Sequence, residues 1–421
     1  MRLKTIPVLL LSAIVSVFPV NGGFAQMTET IQLPQSRDDL TSRLKQAGIS
    51  VAGTKSIVTL ARDAQVLDTT SEDESRIPIG ASKFGGRPDL PDTMPWPVRP
   101  AYEDGMEMAR ELETDAANLY ADAGLVPPWM GKEGQAFLEA RKRFNKEVNA
   151  GTLALFKEAD VDLKGVDLDK IFQRSSEGVK EAADELRAKA DAVAEPFPLT
   201  FIAQIDLEVM AQKRGFASDL PRKGRLLFFY DLPQIPAGFK PQSRVGWQII
   251  YDETPREKLK RVDVPSVLMD FPAVAALYPM SVTSRAIVST IPIASTSWDV
   301  LQPASGHDEQ TYHEWLYSLG WPTEEGGGNH QLGGWPRAIQ SSMQSQSQLA
   351  SNGIYAGTSD AYDTDAAKAL LTHADDWQLV LQIGSDKAAG NDLPGAIYVL
   401  MKKDDLKNRH FEKAWVVYEQ D

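Results

Sequence analysis

No cysteine occurs anywhere in the chain. Disulfides, a thiolate nucleophile, cysteine-bound zinc and a lipidated N-terminal cysteine are therefore excluded, and the fold must hold through its core. Histidine is scarce, at five residues among 421. Bases are outnumbered by acids, 44 to 58, for a formal net charge of −14. That balance argues against nucleic acid, whose phosphates demand clustered Lys and Arg, and equally against docking on anionic lipid. Familiar catalytic signatures are missing too: there is no Gly-x-Ser-x-Gly, no Gly-Lys-Ser/Thr phosphate loop, no His-Glu-x-x-His and no dinucleotide fingerprint. The run Gly326-Gly327-Gly328 lacks phosphate-loop spacing and reads as a turn. No cofactor is expected.

What the chain does have begins with a targeting segment. Arg2 and Lys4 precede an uncharged run over 6–20, and Gly23-Phe24-Ala25 sets small residues before Gln26. This is secretory signal grammar, with cleavage expected after Ala25. Fifteen helical residues reach only about 22 Å, short of the ~30 Å hydrocarbon layer, so stable insertion after cleavage is not expected. The expected location is periplasmic or secreted.

Four segments follow. Residues 26–79 read as a helical lead-in, with Ser36 capping a first helix, a strand at 57–60 and a polar loop over 68–76. Residues 80–100 hold three Gly and five Pro and read as an ordered irregular segment. Residues 101–195 carry 21 acids against 13 bases, and helical spacing predicts helices over 106–120, 135–156 and 171–193. Residues 196–421 are β-rich, with strands expected at 199–206, 224–231, 245–251, 286–293, 377–383, 395–402 and 413–419.

Two stretches in this last segment look like copies. FIAQID at 201–206 leads through Leu220-Pro221 to Gly224 and an apolar run. LVLQIG at 379–384 leads through Leu393-Pro394 to Gly395 and another. Gly85-Gly86-Arg87-Pro88 precedes the first and Gly333-Gly334-Trp335-Pro336 the second. Aromatic runs follow both, at 247–251 and 415–418. The fold class expected is α+β: a β-rich body with an internally duplicated antiparallel sheet unit, spanning 80–100 and 196–421, with a helical insertion at 101–195.

The motif series Lys83-Phe84-Gly85-Gly86-Arg87-Pro88, Trp96-Pro97, 198–206, Leu220-Pro221 to Asp231, 330–336, Ile339-Gln340 and Trp377 to Asp386 resembles the YwqG-like family (DUF1963), a domain of unknown function. The resemblance implies a duplicated β-rich body and brings no catalytic set. The association of some relatives with toxin loci suggests immunity or partner binding. The export signal and the helical insertion depart from the family's usual pattern.

Candidate sites fall into three groups. Asp206, Asp231 and Asp386 end strands; they read as turn caps, and a hydrolase would need two of them roughly 5–10 Å apart. Gln204 and Gln382 sit in apolar strands, where an unpaired amide costs about 1–3 kcal/mol, so each is expected to bond loop backbone, with the Gly-Gly-x-Pro turns as candidate partners. Arg87, Trp96, His330, Trp335, Arg337 and Gln340 make up a candidate binding surface, since Arg and Trp are enriched where proteins meet. His307, Asp308, His313 and Glu314 could offer metal ligands but read as ordinary polar residues; no metal is expected. The leading functional reading is a non-enzymatic envelope module that binds a protein or peptide partner. The alternatives are a hydrolase on an envelope polymer and a purely structural periplasmic module.

Overall fold

The computed structural model describes residues 33–158, 176–298, 306–320 and 330–420. The segment expected to be a signal, the triple glycine and the start of the expected third insertion helix lie outside them.

The centre is a ten-stranded sheet in which every neighbouring pair is antiparallel. In chain order its strands are β1 (Arg62–Ser71), β2 (Lys83–Phe84), β3 (Thr200–Asp206), β4 (Arg225–Tyr230), β5 (Trp247–Asp252), β6 (Met280–Ser289), β7 (His330–Leu332), β8 (Trp377–Ile383), β9 (Gly395–Lys402) and β10 (Trp415–Gln420). Across the sheet they run β10-β9-β8-β7-β1-β6-β2-β3-β4-β5.

The duplication is visible residue by residue. Copy one is β2, the turn 85–88, and the meander β3-β4-β5; copy two is β7, the turn 333–336, and β8-β9-β10. Lys83 pairs with Gln204, and Gln331 with Gln382. The register slips once in each meander, between Phe201 and Ala203 and between Leu379 and Leu381. The carbonyl at each slip, Ile202 or Val380, accepts the N–H of Gly85 or Gly333 at 2.9 Å. Both glycine pairs have positive φ, which only glycine adopts at little cost. At Gly85 a Cβ would also stand 2.2 Å from the Tyr278 carbonyl oxygen.

The long strands are exchanged between copies. β1 precedes copy one in the chain but pairs with β7 of copy two, while β6 precedes copy two and pairs with β2 of copy one. A ten-residue β1–β6 ladder, Arg62↔Ser289 to Ser71↔Met280, joins the two halves. The edge strands β5 and β10 then meet without a ladder. Trp247 and Trp415 contact edge to face at 5.2 Å, and each indole N–H bonds a carbonyl across the seam, Ala414 and Gly238 respectively. The sheet is nearly closed into a barrel.

Both faces of β4 are covered, as its unbroken apolar run requires. Leu226, Phe228 and Tyr230 join the main core; Leu227 and Phe229 join a second cluster with Leu90 and Leu199.

Two expectations for the lead-in fail. Residues 57–60 end a helix, α2 (Val51–Leu60), which follows α1 (Arg37–Gln46). Ser50 caps α2 through the Gly53 N–H, and burial of Ile57 against Leu40 and Leu44 outweighs β-branched propensity. The polar stretch from 68 begins inside β1, because its polar side chains find partners within the fold: Gln65 donates to the Met210 and Arg214 carbonyls, and Thr69 to Asp386. The strand expected at 286–293 lies at 280–289.

The insertion forms α3 (Gly105–Asp122), α4 (Gly134–Glu158) and α5 (Val179–Val193). A two-residue ladder, Val98↔Pro198 and Arg99↔Phe197, closes its root. Among the described residues no helix is long and apolar enough to cross a membrane.

Candidate binding cleft at the second glycine turn

In each copy a strand glutamine holds the turn. Gln204 Oε1 accepts the Asp89 N–H at 3.0 Å and Gln382 Oε1 accepts the Arg337 N–H at 2.9 Å; both donors are the residue after the turn's proline. Gln204 Nε2 also reaches the Ala81 carbonyl at 2.8 Å. The residue two before the glycines acts in parallel: Lys83 Nζ donates to the Arg87 carbonyl and Gln331 Nε2 to the Trp335 carbonyl.

The copies then diverge in charge. Around Lys83 the space is taken by an ion cluster: Glu74 lies at 3.2 Å and Asp89 at 3.7 Å, and Arg261 bonds Asp89 at 2.9 Å. Burial pulls the Lys83 pKa down, against the carboxylates beside it. Burial would raise Asp89, but Arg261, Lys83 and the Gly80 N–H bring it below its ordinary value. Copy two has a neutral amide where copy one has this lysine. Gln331 is wholly buried, donates to the Gly333 and Trp335 carbonyls at 2.8 Å, and leaves Oε1 without a partner.

Gln331 lines a cleft of about 310 Å³. Its apolar wall comes from Leu33, Ile287, Val288, Leu316, Leu319, Trp335 and Ile339, with exposed His313 and Gln340 beside them. No lining residue is a carboxylate. The wall is fixed from behind. Arg337 donates to the Leu319 and Gly320 carbonyls at the end of α6 (Gly306–Ser318), where a cation suits the helix dipole. Glu419 accepts the N–H groups of Ile339, Gln340 and Ser341 at 2.9, 3.1 and 3.0 Å. Burial raises its pKa despite those bonds. Neither Glu419 nor Gln331 stood out in the sequence; the signal available for Gln331 was its place two residues before a duplicated glycine pair.

The six residues expected to form one surface are divided. Trp335, Arg337 and Gln340 line this cleft. Arg87 lines another, of about 590 Å³, and is bound to Glu74 and Asp263 at 2.9 Å each. Trp96 packs on Phe229 with its N–H on the Leu199 carbonyl. His330 is buried edge-on to Phe84, with Nε2 3.4 Å from Asp386.

The strand-end carboxylates have separate partners. Asp206 caps the helical turn after it and pairs with Arg256; Asp231 is enclosed by Arg99 and Tyr102; Asp386 takes His330, Thr69 and the Ala389 N–H. Asp308 holds the Ser50 N–H and hydroxyl, and among the described residues no three His, Asp or Glu side chains gather in a metal-binding group.

Burial would raise the Asp386 pKa, but His330 and Thr69 pull it below the ordinary range. Its stabilisation is therefore full above the unfolded carboxyl pKa and drains away as pH falls through the folded value. Asp386→Asn is expected to cost ~1–2 kcal/mol at neutral pH. In urea melts the gap to wild type should close between about pH 5 and about pH 2. A gap independent of pH would mean the charge on Asp386 is irrelevant.

No curated protein matches this chain. The family described as a domain of unknown function, DUF1963, matches residues 82–419, and the chain belongs to that family.

Proposed function

We propose that the chain is an exported, non-enzymatic binding module of the bacterial envelope. The cleft at the second glycine turn takes an apolar side chain, or short apolar stretch, of a protein or peptide partner. The observation that carries this reading is the lining: aliphatic and Trp side chains with exposed His313 and Gln340 beside them, and no carboxylate. Apolar area supplies affinity in such a site, and the few polar groups beside it, His313 and Gln340, fix orientation. The separate engagement of Asp206, Asp231 and Asp386 further favours binding over hydrolysis.

Ala338→Trp would fill the cleft and Leu316→Arg would place a charge in its wall. Both variants of the chain from Gln26 onward are expected to bind the partner recovered from envelope extract at least tenfold more weakly, about 1.4 kcal/mol. Thermal melting controls for folding. Unchanged recovery with both variants, or loss only when 101–195 is deleted, removes the cleft from the reading. A partner recovered from cytosol alone removes the location.

A further inference from the structure

Arg62 is the exception among the protein's packed guanidinium groups. Arg99 bonds Asp231 and the carbonyls of Pro100, Glu195 and Ala192. Arg225 bonds Asp252 and the Thr254 carbonyl; Arg261 bonds Asp89 and the Ile77 carbonyl; Arg244 bonds the Trp247 and Glu412 carbonyls. Arg62 is half-buried, and among the described residues no hydrogen bond or ion pair meets its five side-chain N–H donors. The guanidinium instead stacks on an aromatic ring: its carbon stands 3.6 Å from the centroid of the Trp335 ring. That indole is itself fixed, donating to the Leu60 carbonyl at 2.7 Å.

Arg62 lines a polar cleft of about 340 Å³, separate from the apolar one, whose wall includes Arg37, Asp63, Ser218, Asp219, Gly334 and Gln378. Arg37 is already neutralised by Asp63 at 2.8 Å. Asp219 and Asp375 lie near enough to favour the charged guanidinium, yet neither bonds it. Asp219 accepts from Ser218 at 3.3 Å, and Asp375 from Thr296 and Ser297. Burial still draws the Arg62 pKa down to about 10. A fold that gives its other packed arginines acceptors has left this one stacked on an indole and without an acceptor at a cavity.

We propose that this cleft is an oxyanion site, in which Arg62, stacked on Trp335, receives a carboxylate or phosphate group of a ligand. The planar fork matches both groups in bidentate geometry, and stacking removes the rotamer freedom that binding would otherwise have to freeze. With a net charge of −14 the chain offers no general attraction for anions, so binding here must come from this local arrangement.

The test follows the Arg62 Nε–H resonance, assigned by its loss in Arg62→Lys, while acetate or inorganic phosphate is titrated against chloride at constant ionic strength. A saturable shift of that resonance is expected with at least one of the two, and the anion that saturates first identifies the class. Calorimetry should show at least tenfold weaker binding to Arg62→Gln. Asp219→Asn, which removes a carboxylate from the cleft wall, should bind more tightly. The proposal is overturned if neither anion moves the resonance more than it moves that of exposed Arg110, or if Arg62→Gln binds as wild type. It is equally overturned if Asp219→Asn melts as early as Arg62→Gln, which would make Asp219 the partner of Arg62. None of these outcomes depends on the apolar cleft.

Discussion

Replacing Arg99 with methionine is expected to cost about 3–5 kcal/mol of folding stability, the usual result of removing one member of a buried ion pair. Arg99 and Asp231 are both almost wholly buried, 2.5 Å apart. Three further bonds tie the guanidinium to the Ala192 and Glu195 carbonyls, at the end of α5, and to the Pro100 carbonyl. The arginine therefore closes the root of the insertion and neutralises a core carboxylate at once. Burial already raises the Asp231 pKa with Arg99 present. A carboxylate raised in the folded state contributes most stability at low pH and loses it as pH rises through the folded pKa. Without Arg99 that pKa rises further, so the variant's deficit should be smaller near pH 4 than at pH 7. Adding Asp231→Asn should recover part of the loss at pH 7 and nothing near pH 4. Urea midpoints at the two pH values check both statements. Amide exchange along α5 checks the third, that the insertion loosens before the sheet does. A loss below about 1 kcal/mol would mean the pair is not held as the geometry indicates.

Much of the sheet is legible in the sequence because each meander strand carries its own signature. The Gln-Ile ends of β3 and β8, the Leu-Pro turns and the paired glycines recur in one order, and the two copies occupy the two ends of the sheet. What is not legible depends on contacts between distant segments. β2 and β7 are two and three residues long, too short for any periodicity. The exchange of β1 and β6 between copies leaves no local trace, since nothing in a strand names its neighbour. Hydropathy also misleads for the helix Met343–Ala350, whose eight residues are all buried although five are Gln or Ser in alternation from Gln344 to Gln348. Its amides are committed to the carbonyls of Trp377, Ala237 and Leu370. The cleft is assembled from residue 33, β6, α6 and the second turn together, so only its turn residues could be read in advance.

The two strand amides give the sharpest test of the duplication and of the cleft. Gln204→Leu strands the buried Asp89 N–H and takes a donor from the half-buried Ala81 carbonyl, and Gln382→Leu takes an acceptor from the half-buried Arg337 N–H. At about 1–3 kcal/mol for each stranded group, losses of ~2–4 kcal/mol are expected for the first variant and somewhat less for the second. The chemistry removed is the same, but the turns differ in use. Gln204 secures a turn packed against an ion cluster, away from the apolar cleft, whereas Gln382 secures the backbone from which Arg337 reaches α6 and Gln340 reaches that cleft. Gln382→Leu should therefore weaken capture of the envelope partner, while Gln204→Leu, compared at a temperature where both remain folded, should not. Denaturant melts give the stability ranking and binding of the captured partner gives the functional one. If both variants lose binding in proportion to stability, the cleft has no special standing among the two turns; if only Gln382→Leu loses it, one copy of a duplicated scaffold has kept the fold's anchor and acquired a ligand.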